Sequence, residues 1–170
     1  MPSSSTFRQR FGSLLRAYEL VGYSPSRDYR YIETNRALRT LHPDVVAQVI
    51  GEIEAAGGVV RRDPISDLLT INDEFSASLV IVRCCQTAAG SNRWKIRLDT
   101  GLRPDITIVA RMNATNEAIQ DYYFLPWLDV GATPSLRLAP DNGVLLDAYR
   151  FDALEPFMDL VRRMPLRAAA

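Results

Sequence analysis

The sequence predicts an α+β fold, within the broad α/β class: a central mixed sheet flanked by helices, preceded by an N-terminal helical hairpin. Three observations support this prediction. Two short helical segments open the chain, an amphipathic helical segment follows at 43–56, and a series of short strand-like segments then alternates with turn dipeptides. A helix followed by a meander and then by mixed elements is typical of a sheet covered by helices.

The opening residues, 1–24, are predicted to form the helical hairpin as a small domain of its own. Serines at 3–5 offer capping hydroxyls for a helix through 6–10, and Gly12-Ser13 separates it from a second helix that ends at Gly22. In the second helix, apolar residues recur at helical spacing and form one face: Leu14, Leu15, Tyr18 and Val21. A serine-proline pair at 24–25 marks a linker, so residues 25–170 are predicted to form the main domain.

The main domain is predicted to begin its packed core with an amphipathic helix at 43–56. Its inward face carries Val45, Val46, Val49, Ile50 and Ile53. Pro43 suits the first helical position and Asp44 the first turn, whereas Gly57-Gly58 ends the helix. His42, the single histidine, is therefore interpreted as part of a helix entry and not as a metal ligand or a catalytic base.

The remainder of the chain reads as strands closed by one helix. The strand-like segments are 59–62, 67–71, 76–84, 93–99, 105–112 and 122–125. The closing helix is predicted at 148–163. Cys84 and Cys85 are neighbours on a strand, so their side chains point to opposite faces and are expected to be reduced thiols.

The composition, 47% hydrophobic and 24% charged, is that of a folded globular protein. No apolar run is long enough to cross a bilayer, and the start lacks the apolar core of a secretory signal. These features predict a cytoplasmic protein with no membrane partner. The net charge of zero conceals an asymmetry, because the first 40 residues hold seven arginines against three acids. The basic end is the expected nucleic-acid face.

The stretch MPSSSTFRQRFGSLLRAYELVGYSP resembles the second half of helical repeats associated with homing endonucleases. In those repeats paired helices bind DNA. The resemblance implies that Arg8, Arg10 and Arg16 lie near phosphates, with Ser13 at a helix N-terminus whose backbone N–H groups face the DNA. The alternative is an ordinary helical hairpin that caps the main domain.

A broader resemblance covers residues 1–155, which are similar to the C-terminal part of alphaproteobacterial proteins of the recombinase family. The motifs that carry it are RFGSLLRAYELVGY, DYRYIETNRALR, DLLTINDEFSASLVIVRCCQTAAGSNRWKIRLDTGLRPDITIVARM, DYYFLP and LDAYRFD. The long forms of that family have a serine-recombinase catalytic region upstream, and its nucleophilic serine and arginines are not found in this sequence. The resemblance implies a bacterial mobile-element setting and association with DNA recombination, with a serine recombinase as a candidate partner.

The core pattern also resembles the PD-(D/E)xK nucleases, whose fold is restriction-endonuclease-like. Asp67 stands at the first acidic position of that pattern. Ile81 then replaces the second acid and Arg83 the lysine, although Glu74 is a candidate for an acid that has moved. Isoleucine cannot ligate Mg²⁺, which prefers carboxylate and water oxygens, so Mg²⁺ is expected at Asp67 only if the site is active. A structural ion pair between Asp67 and Arg83 is the alternative.

A second basic segment lies in the strand at 93–99. Alternation along a strand predicts Arg93, Lys95 and Arg97 on one face, with Trp94 and Ile96 on the other. A row of this kind can follow a phosphate backbone. A solvated strand face above a core tryptophan is the alternative.

Three functions are compatible with these patterns. The first is a DNA-binding accessory domain associated with site-specific recombination or mobile elements, without cleavage and without a cofactor. The second is an enzyme, a divalent-metal endonuclease of the PD-(D/E)xK type with Asp67, Glu74 and Arg83 as catalytic candidates. The third is a domain that regulates a recombinase and makes no DNA contact.

Overall fold

A computed structural model describes residues 4–22, 30–98, 101–131 and 133–162. The chain divides into two compact units, residues 1–37 and 38–170. The predicted linker at 24–25 lies outside the described residues. Within the described residues, every helix is too short or too polar to cross a bilayer.

The first unit contains two short helices, α1 (Ser4–Phe11) and α2 (Leu14–Leu20). Gly12 between them has a φ of 77°, in the left-handed region that glycine adopts without a steric penalty. The Ser13 side-chain oxygen accepts a hydrogen bond at 3.1 Å from the backbone N–H of Arg16, which caps α2. The predicted break between two helices at Gly12-Ser13 is confirmed.

The third helix, α3 (Arg30–Ala55), extends well upstream of the predicted start at Pro43. That prediction is wrong, because Pro43 lies inside the helix. Leu38 and Leu41 continue the apolar stripe of Val45 and Val49 upstream at a spacing of three or four residues. Burial of this stripe offsets the roughly 3 kcal/mol that a proline costs in a helix interior.

The second unit carries the sheet structure. Its described strands are β1 (Val60–Arg62), β2 (Leu69–Ile71), β3 (Phe75–Val82), β4 (Cys84–Gln86), β5 (Asn92–Arg97), β6 (Ile106–Met112), β7 (Ile119–Pro126), β8 (Ser135–Leu138) and β9 (Arg150–Phe151). Its described helices beyond α3 are α4 (Trp127–Val130), α5 (Val144–Asp147) and α6 (Glu155–Val161).

Two sheets form from these strands. The larger has the order β1-β2-β3-β6-β7-β9, and the smaller has the order β4-β5-β8. In the larger sheet β3 and β6 are parallel, whereas the other neighbours are antiparallel. The predicted α+β class with a central mixed sheet is therefore confirmed.

The larger sheet is buried on both faces. One face packs against α3 and α6, where Ile53, Ile108 and Phe157 are completely buried. The opposite face packs against the smaller sheet, through Trp94, Tyr123 and other buried side chains. The smaller sheet is thus covered on its inner face, and its outer face is left for other contacts.

The sequence-based boundaries of β3 and of the closing helix need further correction. The strand predicted at 76–84 is interrupted at Arg83, so Cys84 begins β4 of the other sheet. The helix predicted at 148–163 starts only at Glu155, because residues 150–151 form the edge strand β9. The Phe151 ring stacks on Phe124 with 5.0 Å between centroids, and this contact favours the strand over another helical turn.

A buried ion cluster, formed by Arg111, Asp121 and Arg150, lies between the two sheets. Arg111 is completely buried and donates to both carboxylate oxygens of Asp121, at 2.7 and 2.5 Å, while Arg150 Nε donates to the same carboxylate at 2.9 Å. Burial opposes the charge of Arg111, but the hydrogen bonds and charge of Asp121 keep its pKa above the ordinary value. The guanidinium also lies 4.5 Å from the Trp94 ring centroid, so the cluster ties β5, β6 and β7 together.

Candidate nucleic-acid interface

The outer face of the smaller sheet is basic. Along β5 the side chains of Arg93, Lys95 and Arg97 are exposed, while Trp94 and Ile96 are buried beneath them. The alternation predicted for this strand is confirmed. The role of the three cations in DNA binding remains a prediction.

A fourth cation, Arg137, joins this row from β8. The strand register places Arg137 directly opposite Lys95, and both side chains are exposed on the same face. The residues opposite Arg93 and Arg97 are the uncharged Cys85 and Ser135. We refer to Arg93, Lys95, Arg97 and Arg137 as the basic face. Like charges placed directly opposite on neighbouring strands repel each other, so the arrangement favours an anionic partner.

Sequence reasoning missed Arg137 because β8 was not recognised. The strand is only four residues long, and it is preceded and followed closely by prolines at 134 and 140. Its sequence, Ser-Leu-Arg-Leu, does carry the polar-apolar alternation of a half-buried strand. That alternation was the available signal.

Three cations of the basic face, Arg93, Lys95 and Arg137, differ in their pairing from exposed arginines elsewhere in this unit. Within the described part of the chain, no ion pair joins Lys95 or Arg137 to a carboxylate, and Arg93 donates only to the neighbouring Asn92 carbonyl at 2.7 Å. In contrast, Arg61 pairs with an aspartate at 3.2 Å, and Arg162 does so at 3.0 Å. Among the described residues, the positive charges of Arg93, Lys95 and Arg137 are therefore not neutralised by a neighbouring carboxylate.

A cavity of about 230 Å³ adjoins the basic face. Its polar lining consists of His42, Ser66, Asp67, Ser78, Arg97 and Thr107. Its apolar lining consists of Leu79, Val80, Leu98, Leu102, Pro104 and Trp127. Because Arg97 belongs to both, the basic face and the cavity are contiguous at this residue.

The cavity forms where β2 separates from β3. The β2–β3 ladder stops at the pair Leu69 and Ala77, and the chain upstream of β2 turns away from the β3 edge. Asp63 holds this turn, since its carboxylate accepts hydrogen bonds at 2.8 Å from the backbone N–H groups of Ser66 and Ile65. These two bonds keep the pKa of Asp63 below its ordinary value.

Asp67 lies at the rim of this opening, with a φ of 59°. Its Oδ1 accepts two hydrogen bonds from Arg62, from Nε at 3.0 Å and from Nη2 at 2.7 Å. The alternative of an ion pair between Asp67 and Arg83 is therefore wrong, because Asp67 pairs with Arg62. Arg62 takes that place because β1 lies beside β2, on the side away from β3.

The register of β3 also corrects the alignment with the nuclease pattern. Ser78 and Val80 line the cavity beside Asp67, whereas Ile81 points to the other face and packs against the core that α3 covers. Arg83 follows the end of β3 and does not line the cavity. The positions that face Asp67 thus carry a hydroxyl and an isopropyl group, neither of which supplies a second carboxylate.

Glu74 does not join Asp67 either. It lies in the exposed turn that follows β2, whereas Asp67 precedes β2, so the whole strand separates them. Across β2 alone, from Leu69 to Ile71, the chain advances about 7 Å at roughly 3.3 Å per residue. In the described residues, no group of three or more His, Cys, Asp or Glu side chains is arranged to hold a metal ion. A metal at this site would have Asp67 as its carboxylate ligand.

In the first unit, the predicted DNA contacts Arg8, Arg10 and Arg16 are exposed. Arg10 lies 5.9 Å from the centroid of the Phe11 ring. Ser13 acts as the cap of α2, and its hydroxyl is engaged there. The arginines have the exposure that phosphate binding requires, and their role remains a prediction.

Comparisons with known proteins are sparse. No family model and no curated protein matches the chain, so the resemblance to recombinase-family regions remains a prediction. Among solved structures, the chain is similar to the bacterial homing endonuclease I-Ssp6803I, with a TM-score of 0.42 and 17% identity over 69% of this chain and 89% of that one. A likeness of this degree does not establish a shared activity.

Proposed function

We propose that this chain is a DNA-binding domain that contacts the phosphate backbone through the basic face and does not cut it. The supporting observation is the set of four like-charged side chains on one side of the smaller sheet, two of them directly opposite each other. The opposed pair of Lys95 and Arg137 costs free energy in the absence of an anionic partner. An anionic polymer converts that cost into attraction.

The dimensions of the basic face suit a nucleic-acid backbone. Arg93 to Arg97 spans about 13 Å along β5, at roughly 3.3 Å per residue, and β8 adds Arg137 about 4.8 Å to the side. One strand of duplex DNA presents a phosphate about every 3.4 Å along the helix axis. Successive phosphates lie farther apart along the winding backbone than along the axis, and the row is long enough to meet more than one of them. Arginine supplies paired N–H donors for such contacts.

The absence of cleavage is proposed from the composition of the adjoining cavity. Among the described residues, Asp67 is the carboxylate that lines this cavity, and it is already held by Arg62. Hard divalent ions in hydrolytic sites are usually held by more than one oxygen ligand from the protein. Association with site-specific recombination or mobile elements, with a recombinase as partner, is the setting that the sequence resemblance implies for this binding activity.

The salt dependence of DNA binding tests the proposal. We expect the double variant Lys95→Gln/Arg137→Gln to lower the slope of log K against log salt by about two, since each phosphate contact contributes about 0.9. The slope is measured by fluorescence anisotropy of a labelled duplex at salt concentrations from about 50 to about 200 mM, where the loss of affinity is large. Arg162→Gln is the matched control, because it removes an exposed but paired arginine. An unchanged slope in the double variant contradicts the proposal.

A metal-dependent endonuclease is the second candidate, because Asp67 lines a cavity that shares Arg97 with the basic face. A backbone bound on that face would pass close to the carboxylate. Incubation of supercoiled plasmid with Mg²⁺ or Mn²⁺ tests this function. The enzyme would be established if the wild-type protein nicks the plasmid and Asp67→Asn, with an unchanged thermal unfolding temperature, does not. Intact plasmid under all of these conditions rejects it.

A further inference from the structure

We propose that the cavity beside the basic face receives one unpaired nucleobase of the bound nucleic acid. This inference rests on the proposed function and extends it, because it specifies which form of DNA the chain prefers. It depends on the size of the cavity, the chemistry of its walls and its connection to the basic face. Each of these is a property of described residues.

The size of the cavity matches one ring system. Pockets for drug-sized ligands measure roughly 300–1,000 Å³. The cavity here is about 230 Å³, which accommodates a smaller group. It is also open at the sheet edge, where β2 no longer covers β3, so a group attached to a chain can enter from outside.

The apolar wall of the cavity can receive the flat face of a base. Trp127 lines this wall with the guanidinium of the exposed Arg103 5.9 Å from its ring centroid, so a base would stack on the indole by taking the place of that arginine. The indole is held in place by close packing, since a Cβ atom at Gly131 would lie 2.4 Å from its ring carbons. Stacking on an aromatic side chain is the common way in which proteins bind unpaired bases.

The polar wall can satisfy the hydrogen-bonding edge of a base. Ser78 and Thr107 are direct neighbours in the β3–β6 ladder, so their hydroxyls lie side by side at the cavity. Within the described parts of the chain, neither hydroxyl is paired with another side chain. Asp67 adds a carboxylate acceptor to the lining. The Leu79 carbonyl oxygen is already hydrogen-bonded to His42 Nε2 at 3.2 Å. Donors and acceptors therefore line the same cavity as the indole.

The charge around the cavity favours a nucleotide over a neutral aromatic ligand. Arg97 lines the cavity as part of the basic face, and Arg103 lies beside Trp127, while the charge of Arg62 is paired with that of Asp67. A phosphate held at Arg97 would therefore present its own base to the opening. A base in a duplex is stacked and paired, so it enters a pocket only when it is unpaired or rotated out of the helix.

The experiment compares the affinities for two labelled duplexes that differ in one position, where 2-aminopurine is either paired or unpaired. We expect the unpaired duplex to bind about tenfold more tightly, in line with stacking of one base on an aromatic side chain. The 2-aminopurine fluorescence should also fall on binding as the base stacks. Ser78→Leu, which fills the cavity, should abolish the preference and leave the affinity for the paired duplex unchanged.

Two further variants make the result decisive. Trp127→Leu should also abolish the preference, and it serves if Ser78→Leu does not fold. Lys95→Gln should weaken binding to both duplexes equally, because it acts through the phosphates. Equal affinities for the two duplexes, or a preference that survives both cavity variants, overturn the inference. If neither duplex is bound at low salt, the proposed function fails together with it, so the two failures are distinguishable.

Discussion

At the scale of single residues, the buried ion cluster has more influence on stability than any surface charge. Arg111 is inaccessible to water, and Asp121 is its single carboxylate partner among the described residues. A buried charge that loses its partner cannot recover its hydration, whereas an exposed charge can. The two kinds of ion pair in this chain should therefore respond differently to the same substitution.

Asp121→Asn should destabilise the fold by about 3–5 kcal/mol, since it leaves the Arg111 guanidinium buried and uncompensated. Urea unfolding followed by tryptophan fluorescence measures the loss, because Trp94 lies directly against that guanidinium. Asp159→Asn is the matched control, since it removes the exposed partner of Arg162 and should change stability by less than about 1 kcal/mol. Similar losses in the two variants would contradict the role given to burial.

At the scale of elements, the parallel pair β3 and β6 is joined at its start by a carboxylate. Asp105, just before β6, accepts hydrogen bonds at 2.7 Å from both the backbone N–H and the hydroxyl of Ser76 in β3. These bonds lower the pKa of Asp105 from its ordinary value of 3.8. The contact sets the register in which Ser78 and Thr107 are neighbours.

The lowered pKa gives this contact a defined pH dependence. A carboxyl group with a lower pKa in the folded state stabilises the fold above its unfolded value of 3.8, and that contribution is lost as the pH falls through the folded pKa. Asp105→Asn should therefore cost on the order of 1 kcal/mol at pH 7 and flatten the loss of stability below about pH 4. Thermal unfolding between pH 7 and 3 tests this expectation. If the unfolding temperatures of the wild-type protein and of Asp105→Asn fall in parallel with pH, the expectation is contradicted.

Elements also show why the sequence predicts some features and not others. Alternation at 93–97 was sufficient to assign the exposed cations of β5, because one strand face must be apolar against the core. Pro43 misled the prediction of α3, since a local rule was given more weight than the apolar stripe from Leu38 to Val49. The face of β3 that meets Asp67 depends on the β2–β3 register, which a single sequence does not determine.

At the scale of the whole molecule, the α+β class follows from patterns that are repeated over many residues, whereas the candidate site depends on single side chains brought together by pairing. Asp67 was identified from the sequence as a site candidate, and the structure places it at a cavity. Arg137 and Thr107 come from strands that are distant in sequence, so their neighbours in the site could not be predicted. The net charge of the chain is zero, so the positive charge available for binding is confined to a local surface.

The position of Lys95 within the basic face has a practical consequence, since it is the one lysine in the sequence. Its ε-amino group lies on exposed β5, opposite Arg137. Among side-chain amines, acylating reagents would therefore mark the centre of this surface alone, and the α-amino group is the other amine that they modify. Such a label reports whether the surface is occupied, and acetylation in the cell would remove one positive charge from it.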